Sequence, residues 1–374
     1  MSVPRRPGRG RAGTLAAAAL ALSTASLTTT GTAHAHADTT THTAPGTATD
    51  AAHRAPRTER VSTGSDGAQL DGRSLEAGIS ADGRYVAFAT KAERLGCHQQ
   101  SYTCLVLKDR VTGELTRIPN DGDSSWGTAM LSRDGRRVGH TAGTKSPAPM
   151  LYDRETGRNV NVGAPGNGTG LLSAVSPDGG TVAYTSGDRF HPAKDLRVRD
   201  LATGADELIG GDGRFGAASL SADGRLLAYA ARGADGADLF VRDRRTGATT
   251  QIDQGLGEAG FVQLAENGRT ALFAAGGRTY AYDVRKGAAR EVADRPVGSA
   301  SPDARYAVLA EGADGTALTL LDVRSGVRTP VGPGAVVPGA VTAKGRAVAF
   351  TSAATDLVPD DTNGSTDIFL RHTR

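Results

Sequence analysis

Ile79-Ser80-Ala81-Asp82-Gly83-Arg84-Tyr85-Val86-Ala87-Phe88 is the first of seven copies of one pattern in this chain of 374 residues. A small or apolar residue comes first, followed by Ser, Thr or Ala and an arbitrary residue. Asp-Gly or a close substitute and an alternating apolar run complete the copy. The other copies occupy 131–140, 175–184, 220–229, 264–273, 300–309 and 341–350. The Asp82 position recurs as Asp134, Asp178, Asp223, Asn267, Asp303 and Lys344, at spacings of 52, 44, 45, 44, 36 and 41 residues. Internal periods of roughly 40 to 50 residues mark the blades of a propeller or another repeat array.

A second repeat, offset from the first, fixes the content of each unit. Asp-x-x-Thr-Gly or a relative of it occurs at 109–113, 153–157, 200–204, 243–247, 283–287 and 322–326, with strand-like stretches on both sides. An Asp side chain bonds backbone amides just downstream and Gly tolerates positive φ, so both motifs predict tight hairpin turns. Each unit then holds four short antiparallel strands. In the first, one strand ends at Ser-x-Asp-Gly, 85–90 forms the second and 105–108 the third, and the stretch after Thr-Gly forms the fourth. The expected fold is all-β: a seven-bladed β-propeller of four-stranded antiparallel blades, with only short, protected edges.

The seventh unit reaches its third strand at Asp367-Ile368-Phe369-Leu370 and has no fourth. A matching strand stands at the other end of the chain, at 58–62. This N-terminal strand is expected to complete the last blade and close the ring, which removes exposed strand edges.

Residues 1–37 carry Arg5, Arg6, Arg9 and Arg11 and then an Ala/Leu-rich stretch, with small-x-small cleavage sites ending at Ala35 and Ala37. They predict a signal peptide cleaved after Ala37, and a secreted, extracellular or cell-wall-associated protein. No stretch reads as a membrane span. The Thr/Ala-rich stretch 38–57 predicts a disordered leader, leaving 58–374 for the propeller. The full chain holds 43 Lys+Arg against 40 Asp+Glu, and removal of the four signal arginines leaves 39 against 40. That balance gives no overall electrostatic case for nucleic acid or an anionic membrane as a partner.

Cys97 and Cys104 are the two cysteines. An even count in a secreted chain favours a disulfide, here across the loop between the second and third strands of blade 1. Their Cys-x6-Cys spacing matches neither a zinc knuckle nor a Cys-x-x-Cys redox pair.

The repeats resemble the WD40-like repeats of TolB-type propellers, whose signature runs Ser-Pro-Asp-Gly-x-x-Ile/Val-Ala-Phe. Val175-Ser176-Pro177-Asp178-Gly179-Gly180-Thr181-Val182-Ala183-Tyr184 matches it best, and Ala300-Ser301-Pro302-Asp303 is a second match. Asp361-Thr362-Asn363-Gly364, followed by Asp367-Ile368-Phe369-Leu370-Arg371, is similar to the secreted actinobacterial branch. The resemblance implies a propeller scaffold and specifies no activity. Related propellers in prolyl-oligopeptidase-type peptidases rely on a separate hydrolase domain, and this chain has no Gly-x-Ser-x-Gly nucleophile elbow.

In a four-stranded blade both glycine turns lie on one face and the variable connections on the other, where function is expected. His98, Gln99, Tyr102, Arg189, Phe190, His191 and Lys194 concentrate on that loop face. Trp126 and Phe215 occupy equivalent places six residues before the repeat serine, near the channel mouth. They are either platforms for a sugar or peptide, or packing between blades. Tyr102, Trp126, Arg189, His191 and Phe215 are therefore the candidate ligand residues. Asp361, Asn363 and Asp367 alternate oxygen-bearing side chains in the manner of a calcium loop, but they lack the EF-hand glycine and glutamate positions; an Asx-turn is the other reading.

His140 stands in the slot of Phe88, Tyr184 and Tyr229, which predicts packing between blades. No catalytic set stands out, and no resident cofactor is expected. The sequence thus points to a monomeric, non-enzymatic scaffold for an extracellular protein, peptide or glycan. The alternative is a metal-dependent propeller lyase or hydrolase at the channel mouth, for which His98 and His191 are the nearest approach to a ligand pair.

Overall fold

The structure, a computed structural model, describes residues 57–97, 103–119, 125–143, 145–163, 169–188, 190–233, 236–312 and 315–374. The expected signal peptide and nearly all of the leader lie outside the described residues. Seven antiparallel sheets form a ring. Blade 1 runs from inside to outside as Ser74–Ile79, Tyr85–Thr90, Cys104–Asp109 and Leu115–Arg117. Blades 2 to 6 repeat this order, with inner strands Ser125–Leu131, Leu172–Val175, Phe215–Leu220, Ala259–Leu264 and Val297–Ala300.

The inner turn is held by its own motif. Ser80 Oγ donates to Asp82 Oδ1 at 2.6 Å and accepts from the Tyr85 amide at 2.9 Å, while the Arg84 amide donates to Asp82 Oδ1 at 2.9 Å. Ser132, Ser176, Ser221 and Ser301 repeat the bridge to their own aspartates. The turn glycine is needed twice over at Gly135. Its φ is +65°, and a Cβ there would lie 2.5 Å from Cδ2 of Tyr85 in the preceding blade. The motif thus sets both the turn and the approach of neighbouring blades.

The two turns of a blade are also tied to each other. Arg84 Nη2 donates to Asp109 Oδ2 at 2.7 Å, and Arg136–Asp153, Arg225–Asp243 and Arg305–Asp322 repeat the pairing. Between blades, Phe88, Tyr184, Phe273 and Phe350 are fully buried. His140 shares their slot as expected and is 1% exposed, its Nε2 3.2 Å from Asn159 Oδ1. Burial pushes its pKa below the ordinary value.

Closure follows the expected route. Thr58–Arg60 pairs with the third strand of blade 7, Asp367–His372, in the register Thr58 opposite Arg371 and Arg60 opposite Phe369. Blade 7 departs from the others in its inner strand, which is reduced to the isolated bridges Ala335–Thr351 and Val341–Val348. The intervening Pro338 has no amide to donate, so a continuous ladder cannot form there. Cys97 and Cys104 form the expected disulfide, with Cα atoms 5.5 Å apart.

Candidate functional site at the central channel

All seven blades contribute to a central cavity of ≈ 420 Å³. Its wall is mostly apolar, with Ile79, Met130, Leu172, Phe215, Phe261 and Val262 prominent, and Thr141, Thr185 and Gln263 adding polar groups. Such a volume, with an apolar lining and few polar groups, is typical of ligand pockets. Each of the six inner strands of blades 1 to 6 carries a register shift against its neighbour, for example between Phe215 and Ala218 and between Ala259 and Val262. The shift in blade 4 presents the small, exposed Gly216 and Ala217 to the lumen.

At the turn end the channel is ringed by the residues between Ser and Asp of each motif. Ala343 N–H donates to Ala81 O at 2.8 Å, Ala81 to Arg133 O at 2.9 Å, and Arg133 to Pro177 O at 2.8 Å. Ala222 donates to Glu266 O at 2.8 Å, and Glu266 to Pro302 O at 2.9 Å. The ring breaks after Pro177 and Pro302, which have no N–H to pass on. Across this ring the Arg133 guanidinium pairs with the Glu266 carboxylate, blade 2 to blade 5, and forms the floor of the channel. Among the described residues, Arg133 and Glu266 are the only charged side chains in its wall.

The sequence alone does not reveal this pair while that motif position is treated as arbitrary. A signal is present: the seven copies read Ala81, Arg133, Pro177, Ala222, Glu266, Pro302 and Ala343. Two opposite charges three blades apart in a ring of seven stand across its centre.

Of the candidate ligand residues, Phe215 is in the channel wall. Its ring lies tilted against Tyr229 with centroids 6.2 Å apart, and Tyr229 stacks on Phe240 at 5.4 Å. Phe215 thus packs within its blade and also faces the lumen. Trp126 lies on the inner strand of blade 2, opposite Thr141. His191 is on an exposed loop with Nδ1 3.3 Å from Asp188 Oδ1, and it is not part of the channel wall. Its loop is nevertheless joined to the approach to Phe215, because the Phe215 amide donates to Ala193 O at 3.2 Å and Gly213 to Lys194 O at 2.9 Å. The Asp188 carboxyl is held below its usual range, first by the Phe190 amide. Tyr102 and Arg189, like His98 and Gln99, lie outside the described residues.

Asp361, Asn363 and Asp367 do come together, and their contacts run to the N-terminal segment. Gln69 Nε2 donates to Asp361 Oδ1 and to Asp367 Oδ2, each at 2.8 Å. Ser62 Oγ donates to Asp367 Oδ1 at 2.5 Å, and Asn363 Nδ2 to Leu70 O at 2.8 Å. Arg60 stands 3.6 Å from Asp361 and 3.9 Å from Asp367. With Asp367 fully buried, these bonds clasp the closing strand to the last blade. Among the described residues no three His, Cys, Asp or Glu gather as a metal-binding group, and no helix is long and apolar enough to cross a membrane.

No protein-family model matches the chain, and no curated protein matches it. Solved structures do. An oligogalacturonate lyase in complex with manganese is 14% identical with a TM-score of 0.62, covering 85% of this chain and 93% of that one. The oligogalacturonate lyase of Vibrio parahaemolyticus is 14% identical with a TM-score of 0.59 over the same shares. TolB from Acinetobacter baumannii is 17% identical with a TM-score of 0.47, covering 71% of this chain and 67% of that one. At such identities the likeness to the lyases shows a common propeller fold.

Proposed function

We propose that this chain is a secreted, non-enzymatic propeller that holds a protein, peptide or glycan at the loop-face mouth of its channel. The observation that carries the reading is the channel wall itself. It is apolar, Phe215 forms part of it, and the only two charges among its described residues neutralise each other on the floor. An uncharged peptide segment or neutral sugar chain can bury its surface there without leaving a charge unpaired. A polyanion such as an oligogalacturonate would meet no net countercharge in this wall. The lyase reading keeps one support, the fold shared with the manganese-bound lyase.

The test is capture of partners from culture supernatant and cell wall on the immobilised mature protein, followed by calorimetry with the captured ligand. Phe215→Ala combined with Trp126→Ala should weaken binding by more than about tenfold, as loss of aromatic anchors does. Arg154→Ala or Arg244→Ala, on the turn face, should leave it unchanged. Release of unsaturated products from polygalacturonate in the presence of manganese, lost on Phe215→Ala, would overturn the binding reading in favour of a lyase.

A further inference from the structure

The near-neutral overall charge hides a local excess of free cations on one arc of the molecule. Strand topology places both hairpin turns of blades 1 to 6 and the inner turn of blade 7 on one side and the longer connections on the other. Two blades lack the acid of the inner turn, since Asn267 in blade 5 and Lys344 in blade 7 replace the aspartate of the other copies. From blade 4 to blade 7 the turn side presents Arg245, Arg269, Arg285, Arg324, Lys344 and Arg346, all exposed, against the two exposed and unpaired inner-turn acids Asp223 and Asp303. None of the six forms an ion pair among the described residues, whereas Arg84, Arg136, Arg225 and Arg305 are each neutralised by an outer-turn aspartate. On the loop side the exposed acids without an ion-pair partner among the described residues, Asp71, Glu93, Asp356 and Asp360, are matched by the equally exposed and unpaired cations Arg73, Lys145, Arg214 and Arg295.

We propose that the turn face of blades 4 to 7 docks on an anionic phospholipid surface, with the channel mouth pointing away from it. The free cations do not follow a line. Arg269, Lys344 and Arg346 belong to the inner turns beside the channel and Arg245, Arg285 and Arg324 to the outer turns at the rim, so they form a two-dimensional field over four adjacent blades. A planar array of lipid phosphates matches such a field better than a single strand lying in a groove. Tight turns of nearly uniform length keep the face level. Val327, 59% exposed at the tip of the outer turn of blade 6, offers an apolar side chain to the headgroup layer within this arc. Among the described residues the turn side has no exposed aromatic ring on which a nucleic acid base could stack. The loop side has no comparable excess of free cations, so the turn side is the one drawn to the surface. Attraction of this kind acts within about one Debye length and weakens with salt.

The experiment is flotation of the full chain with vesicles of phosphatidylglycerol and phosphatidylcholine, against vesicles of phosphatidylcholine alone. The protein should float with the anionic vesicles only and be released when salt is raised to about 0.5 M, where the Debye length is roughly halved. Arg269→Glu with Arg324→Glu and Arg346→Glu should cut the bound fraction at least tenfold, with an unchanged melting temperature. The neutral set Arg269→Gln, Arg324→Gln and Arg346→Gln gives the same readout should the reversed set fail to fold. Lys91→Glu with Arg214→Glu, on the loop side, should change nothing. Equal flotation with both vesicle types, no flotation at low salt, or indifference to the turn-face substitutions overturns the proposal. Retention on immobilised polyphosphate without vesicle binding also overturns it and assigns the patch to a soluble polyanion.

Discussion

Arg133 and Glu266 meet across the channel floor with Nε 3.2 Å from Oε1, although one residue belongs to blade 2 and the other to blade 5. The pair links distant parts of the ring in addition to the contacts between adjacent blades. Arg133 is 56% exposed, so solvent screens the attraction and its loss should cost less than about 1 kcal/mol. Arg133→Glu or Glu266→Arg alone places like charges face to face and should lower the melting temperature. The double exchange should restore it. A double-mutant cycle in thermal unfolding checks this, and strictly additive single effects would show that the two side chains do not interact in solution.

Acid should unfold the propeller partly through the arginine clasps. Arg84 is the largest influence holding Asp109 at about 2, and Arg225 does the same for Asp243, also at about 2. A carboxyl with a depressed folded pKa contributes stability above its ordinary pKa, near 3.8, and loses it as pH falls towards 2. Stability should therefore decline over that window. Arg84→Gln with Arg225→Gln should flatten the decline, because the folded and unfolded pKa values then approach each other. Melting temperatures measured from about pH 5 down to about pH 2 decide it; an unchanged slope in the double variant would mean that other carboxyls govern acid unfolding.

Turn glycines of the same conformation should differ in their tolerance of alanine. Gly113 has φ +79° and nothing within 4 Å of the place a methyl group would take, so Gly113→Ala should cost about 1 kcal/mol of backbone strain. Gly135→Ala adds the collision with Tyr85 and should cost a further ~1–3 kcal/mol as overpacking between blades. Denaturant unfolding of the two variants separates turn strain from blade packing. Equal losses would mean that the Gly135 contact is absorbed by movement of Tyr85.

The seven blades are legible in the sequence because each turn is made by residues close together in the chain. Ser80 and Asp82 bond to each other and to the amides of Arg84 and Tyr85 within one hairpin, so the motif and its meaning coincide. Phe215 is legible for a similar reason, through its equivalence with Trp126 in a repeating frame. The floor of the channel is a different kind of feature, since Arg133 meets Glu266 only once the blades between them are in place. The alternating oxygens of Asp361, Asn363 and Asp367 show only part of their setting in the sequence, for the same reason. Their bonding partners Ser62, Gln69 and Leu70 lie at the other end of the chain and cannot be inferred from the loop itself.

Closure of the ring should depend on that clasp. Removing residues 1–56 should leave the melting temperature nearly unchanged, because the closing strand begins at Thr58. Removing 1–64 should lower it sharply, since it exposes the edge of Asp367–His372 and strips Ser62 from the buried Asp367. Asp367→Ala in the full chain should cost about 1–3 kcal/mol, the penalty for leaving the buried Ser62 hydroxyl and one N–H of the Gln69 amide without their acceptor. Because hydrogen bonds and the Arg60 cation already engage these carboxylates, adding calcium or a chelator should leave the melting temperature where it is. A rise with calcium that Asp361→Asn abolishes would instead establish a metal at the clasp. Equal melting temperatures for the two truncations would show that the ring does not need its N-terminal strand.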